Sequence, residues 1–219
     1  MASSRITWLS ILGLVLTSLC AICVVISMAS TNWIEALQQR DTGFGKMGLW
    51  EACFYNYVDN KSGGLGKRYN GCHALYSFEY RAIWRWLTPD WLISIQVMMC
   101  LNLILGVSTT LIIVMYFIKC CSANLDWILV LSSSVANFVT GFFLAVCTIM
   151  FGVKVDNERD WLPHPDSNYL SWSFGIAVFG GFLALFAGMC LLVEGLRLRL
   201  ITQQQSRRSN YAMSPVPRY

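Results

Sequence analysis

The chain has 219 residues, 56% of them apolar and only 13% charged, with a formal charge of +4 and a mean hydropathy of +0.52. A soluble domain carries about 25% charged residues, so this composition excludes an ordinary water-soluble protein and points to an integral membrane protein. The basic residues form no patch interleaved with aromatics, which excludes nucleic acid as a partner.

Four stretches contain no Asp, Glu, Lys or Arg: residues 6–32, 91–118, 127–153 and 167–193. Each is longer than the roughly 20 residues a helix needs to cross a bilayer core. None alternates polar with apolar, as a lipid-facing barrel strand would, and in lipid the remaining way to satisfy the backbone is a helix. The expected fold is therefore mainly α, a single membrane domain over residues 1–219 built on a four-transmembrane-helix bundle. Its spans are 7–29, 91–118, 127–153 and 170–193, with extracellular loops at 30–90 and 154–169 and a cytoplasmic tail at 194–219. The first span also resembles a signal peptide, with Arg5 before it and Met28-Ala29-Ser30 after it. Its apolar stretch exceeds the 7–15 residues of a signal core, so it is read as a helix.

Four spans put both termini on one side, and charge says which. The tail carries Arg197, Arg199, Arg207, Arg208 and Arg218 against Glu194; the turn between spans two and three carries Lys119, and the amino terminus Arg5. The loop between spans three and four holds Lys154 and Arg159 but also Asp156, Glu158, Asp160 and Asp166. Basic flanks favour the cytoplasm, which places both termini inside. Small residues four apart, Gly141 with Ala145, Ala177 with Gly181 and Ala184 with Gly188, suit close helix packing, as do Gly13, Thr17 and Ala21 in span one. The lack of charge deep in any span argues against a proton pump, a voltage sensor or a transporter of charged substrates.

The first loop has strand character at 33–37, 47–56 and 69–80, broken at Asp41-Thr42-Gly43 and at Asn60-Lys61-Ser62-Gly63-Gly64. The simplest arrangement is a small antiparallel β-sheet with its edge against the second loop, and so small a sheet needs a staple. Cys53 and Cys72 are the two cysteines outside both membrane and cytosol, where oxidation is permitted, so a disulfide between them is expected. Asn60-Lys61-Ser62 is an N-glycosylation sequon, which makes Asn60 a candidate glycan site. Cys120 and Cys121 lie just inside the membrane beside Lys119 and are candidates for palmitoylation. Cys20-Ala21-Ile22-Cys23 has the spacing of a redox pair, yet it sits in an apolar helix with no basic neighbour to lower a thiol pKa. His73 and His164 lack a second ligand set for zinc. With no nucleophile triad and no phosphate-binding glycine loop either, no enzymatic activity and no cofactor are expected.

Trp33, Gly48-Leu49-Trp50, Cys53 and Cys72 on a four-helix membrane frame resemble the claudin signature, W…GLW…C…C. The wider superfamily of peripheral myelin proteins, epithelial membrane proteins and calcium-channel γ-type subunits shares it. Gly141-Phe142-Phe143-Leu144-Ala145 resembles the family's small-residue third helix. Tyr169-Leu170-Ser171-Trp172-Ser173-Phe174-Gly175 resembles its Tyr-x-Phe-Gly start of the fourth. The chain departs from vertebrate claudins in three places. Its two cysteines stand farther apart, Leu92-Ile93-Ser94-Ile95-Gln96 stands where an Arg is usual, and Pro217-Arg218-Tyr219 replaces a terminal Tyr-Val. Pro217 removes a backbone donor that a PDZ groove uses, which argues against PDZ binding, although another cytoplasmic scaffold remains open. The differences suit a divergent, invertebrate-type member working at a septate rather than a tight junction.

The resemblance implies a cell–cell junction protein at the lateral plasma membrane. It would form or regulate a paracellular barrier or ion-selective passage by assembling its extracellular loops with claudin-like partners, in cis and in trans, with membrane lipid around the bundle. The alternative it implies is an auxiliary subunit of a channel or receptor within one membrane. Candidate selectivity charges are Glu51, Asp59, Lys61, Lys67, Arg68, Arg81 and Arg85. Trp33, Gly48, Leu49 and Trp50 are expected to anchor the sheet at the membrane surface, where Trp rings are at home. Trp161 and Leu162 either make apolar contact across the intercellular gap or pack back on the sheet.

Overall fold

The computed structural model describes residues 6–37, 43–59, 66–119, 125–158 and 161–213. In chain order it runs α1 (Trp8–Ala29), β1 (Ile34–Ala36), β2 (Phe44–Met47), β3 (Glu51–Val58), β4 (Arg68–Ala74), a 3₁₀ turn (Phe78–Tyr80), α2 (Trp84–Leu87), α3 (Asp90–Ile118), α4 (Asp126–Asn157), a second 3₁₀ turn (Pro165–Ser167), β5 (Asn168–Leu170) and α5 (Trp172–Met213). Among the described residues, α1, α3, α4 and α5 are the four helices long and apolar enough to cross a membrane.

The helix ends have local causes. α1 opens on a capping box, in which the Ser10 amide donates to Thr7 Oγ1 and the Thr7 amide to Ser10 Oγ, satisfying two orphan donors at once. α3 follows Pro89 and stops at Lys119, whose φ of 57° is left-handed, a common helix terminator. α4 continues past the apolar stretch to Asn157, its last turn held by the Lys154–Glu158 ion pair at 2.7 Å. α5 does not stop where the apolar residues do. It runs 42 residues to Met213, because Leu, Arg and Gln are good helix formers and no proline interrupts them before Pro215.

The helices form a ring in which α1 touches α3 and α5, and α4 touches the same two. A β-carbon on Gly141 of α4 would lie 2.9 Å from Leu185 Cδ2 of α5, so the small residue permits the close approach. Across the ring, Asn137 Nδ2 of α4 donates to Thr17 Oγ1 of α1 at 3.1 Å. Ser134 Oγ donates to the Gly188 carbonyl of α5 at 2.8 Å. Both bonds are buried, where such pairs hold helices in register.

One end of the bundle carries a five-stranded antiparallel sheet, ordered β4-β3-β2-β1-β5. Strands from both loops make it, since β5 of the second loop pairs Ile34 with Leu170 and Glu35 with Tyr169. The loop-one strands therefore do have an edge against loop two, as expected. The expected strand at 47–56 is corrected. Residues 48–50 form a turn between β2 and β3, closed by the Gly48 amide donating to the Glu51 carbonyl at 2.9 Å. That turn is apolar because it points into protein, so it lacks the polar residues that usually mark one. The expected strand at 69–80 ends at Ala74, beyond which the chain folds into the 3₁₀ turn. The inner face of the sheet and the adjacent half of the bundle share one apolar core, with Trp33, Met47, Leu49, Phe54, Tyr80, Leu92 and Phe151 in it.

Candidate functional site: the stapled sheet and its seat

The seat is built around Trp33. Its indole N–H donates to the Ser27 carbonyl in the last turn of α1 at 2.7 Å. Its ring meets Phe151 of α4 at 4.9 Å and Phe174 of α5 at 5.9 Å, both edge-on. Its backbone joins β2 through the Met47 carbonyl at 3.1 Å and the start of α5 through the Ser171 amide at 2.9 Å. Trp33 is fully buried, so it works as a bolt between sheet and bundle rather than as a ring in the lipid headgroup zone.

Gly48-Leu49-Trp50 is the other half of the seat. A β-carbon on Gly48 would collide with the Ser30 carbonyl and lie 2.7 Å from Thr31 Cα. Leu49 is fully buried, and its carbonyl accepts from the Gln96 side-chain amide of α3. Tyr76 in turn donates its hydroxyl to Gln96 Oε1 at 2.5 Å. Gln96, in the second turn of α3, thus serves the turn with a neutral donor. The Trp50 carbonyl accepts from the Leu75 amide at 2.8 Å; its ring is half-buried.

Cys53 and Cys72 are directly paired in register on β3 and β4 and form the disulfide, with their α-carbons 4.0 Å apart. Tyr80 closes the sheet from beneath. Its hydroxyl donates to the Ala52 carbonyl at 2.8 Å, and burial pushes its pKa up, keeping it a donor.

The outward face carries charges that sequence reading passed over. Glu35 lies opposite Lys46 on one side and Tyr169 on the other. Tyr169 donates its hydroxyl to Glu35 Oε2 at 2.8 Å, and the Asn32 amide donates to Oε1. Burial alone would raise the Glu35 carboxyl; hydrogen bonds from Tyr169, Asn32 and Ser171, with the charge of Lys46, outweigh it and hold it low. A three-residue strand is too short for its period to show which side Glu35 takes, and its partner Tyr169 is 134 residues away.

The expected selectivity charges are scattered. Lys67 pairs with Glu79 at 3.0 Å and lies 5.3 Å from the Tyr69 ring centroid. Arg68 reaches Asn56 Oδ1 at 3.4 Å. Glu51 is half-buried, Arg81 and Arg85 are exposed, and Asp59 is only 6% exposed, which removes it from the exposed surface. Trp161 and Leu162 are also corrected as exposed contacts, being 7% and 4% exposed. The Trp161 indole donates to the Trp86 carbonyl at 3.0 Å and packs on Trp91 at 4.7 Å, because the second loop folds down against the first. Trp91 also donates to Glu158 Oε2 at 2.8 Å. Lys154 and Trp91 together hold that carboxyl below its ordinary range. Asn60, Lys61, Cys120, Cys121 and the segment Pro217-Arg218-Tyr219 lie outside the described residues. Cys20 and Cys23 are free thiols inside the bundle. Among the described residues no group of three or more His, Cys, Asp or Glu could hold a metal.

These features define a class: a four-span membrane protein that holds a rigid, disulfide-stapled sheet at one end of its bundle. A family model described as PMP-22/EMP/MP20/Claudin tight junction matches residues 18–193. The chain belongs to this family. No curated protein matches the chain.

Proposed function

We propose that this chain is a cell–cell junction protein that forms or regulates a paracellular barrier or ion-selective passage. The observation that carries this reading is the sheet. Built from both loops, stapled by Cys53–Cys72 and bolted to the bundle through Trp33, it is rigid enough to present fixed surfaces, and among the described residues β4 stands at its edge. An edge strand is a ready docking surface for another chain. The family description, which names the tight junction, supports the same reading.

The partners would be like or related copies, in cis within one membrane and in trans across the gap, with lipid around the bundle. The sheet end faces the cell exterior in this reading, because a disulfide persists there. The arginines of α5 lie at the opposite end, where basic flanks favour the cytoplasm. Arg68 and Glu51 on the sheet, joined now by Glu35 and Lys46, are the described charges best placed to bias ion passage.

Expression in non-adherent cells tests the proposal, the expected result being cell aggregation with the protein concentrated at contacts. Uniform surface distribution, together with unchanged transepithelial resistance when the protein is depleted from an epithelium, would overturn it. That outcome is the one the auxiliary-subunit alternative requires.

A further inference from the structure

The segment between β4 and α3 carries aromatic and cationic side chains that the sheet does not use. Phe78 is 82% exposed, Tyr76 45% and Trp84 43%, and the Tyr76 and Trp84 rings meet edge-on at 5.5 Å. Arg81 and Arg85 are exposed, and neither side chain has an ion pair among the described residues. Glu79, the one acidic residue from 76 to 85, is already held by Lys67 at 3.0 Å.

The height of this segment accounts for its chemistry. The Tyr76 hydroxyl bonds to Gln96 of α3, and α3 begins at Asp90. At 1.5 Å per residue that bond is about 9 Å along the helix from its first residue. The Tyr76 hydroxyl therefore stands beside the second turn of a membrane helix, and Trp84 packs on its ring. Ile93 and Val97, on the same stretch of that helix, are 40% and 55% exposed, as lipid-facing residues are. Rings at the apolar boundary with guanidinium groups reaching toward water match the headgroup zone of a bilayer.

We propose that residues 76–85 form a lipid-docking surface on the sheet side of the membrane. Phe78 and Trp84 enter the interfacial zone, and Arg81 and Arg85 bind phospholipid phosphate groups, since the segment's one carboxylate, Glu79, is held by Lys67. The surface would fix how the sheet is tilted over the bilayer, and it stands independently of the junction proposal.

The test places the photoreactive residue p-benzoylphenylalanine at Phe78 in the full chain, reconstituted in phosphatidylcholine vesicles. The same probe at Leu37, which follows β1 and is 73% exposed, is the reference. Irradiation is expected to give phospholipid adducts, read by mass spectrometry, in severalfold higher yield at position 78 than at 37. That yield should fall in the R81Q/R85Q background and return in R81K/R85K. Lipid adducts at position 78 no more frequent than at 37, or cross-linked dimers in their place, would overturn the proposal. An unchanged yield in R81Q/R85Q would overturn its phosphate contacts.

Discussion

At Gly48 the fold leaves no room for a β-carbon, because the backbone of residues 30 and 31 occupies that space. Gly48→Ala should destabilise the seat by about 1–3 kcal/mol, the usual cost of overpacking, measured as a lower midpoint of thermal unfolding in detergent. An unchanged midpoint would mean that the turn can move away from α1. Gln96 makes the matching contact from α3. Gln96→Leu leaves the buried Leu49 carbonyl without its donor, at a cost of about 1–3 kcal/mol, while Tyr76→Phe, which spares that donor and removes only a bond from a half-exposed side chain, should lose less. Stability of the two variants in the reverse order would remove the hydrogen bond as the reason for a polar residue there. These signature positions were legible in the sequence as a pattern, but the work each does was not. Trp33 reads as an interfacial ring until Phe151 and Phe174 are seen to enclose it, and those residues stand more than a hundred positions away.

Among the elements, the helices were plain from sequence because a run of uncharged apolar residues has one structural solution in lipid. The sheet was legible only in outline. β2 and β3 merge in the sequence because the turn between them is apolar, and β5 is three residues long, so neither gives a period to read. The disulfide was legible because the loop holds two cysteines and no third to compete. Cys53→Ser should cost about 3 kcal/mol in the chain-entropy account, for a closed loop of 19 residues. The expected outcome is faster protease cleavage within β3 and β4, with the spans still protected, whereas equal cleavage rates would show that Trp33 and Tyr80 suffice without the staple. The seam between β1 and β5 is pH-sensitive instead. Glu35 has a lowered pKa in the fold, so its ionised form favours the folded state. Its contribution is complete above the ordinary Glu value of about 4.3 and is lost as pH falls through the lower folded value. Amide exchange at Asn168–Leu170 should therefore quicken below about pH 4 beyond the intrinsic rate, and much less so in Tyr169→Phe. A flat protection profile in the wild-type chain would exclude Glu35 as the clasp.

For the whole molecule the proposed orientation, sheet outside and tail inside, draws support from two independent features. The sheet end holds the disulfide, which needs an oxidising compartment. The far end holds Arg197, Arg199, Arg207 and Arg208 on the extension of α5, with Arg199 over the Trp127 ring at 5.5 Å. Those arginines follow the last apolar stretch directly, the position at which basic residues are retained in the cytoplasm. In intact cells an epitope after Met213 should be unreactive until the membrane is permeabilised, while a thiol-specific label should reach the sheet only after external reduction of Cys53–Cys72. If Asn60 is modified, glycosidase treatment should also shift the mass, and Asn60→Gln should abolish that shift. An epitope exposed on unpermeabilised cells would reverse the orientation, put the sheet in a reducing compartment, and remove the basis for contact between neighbouring cells.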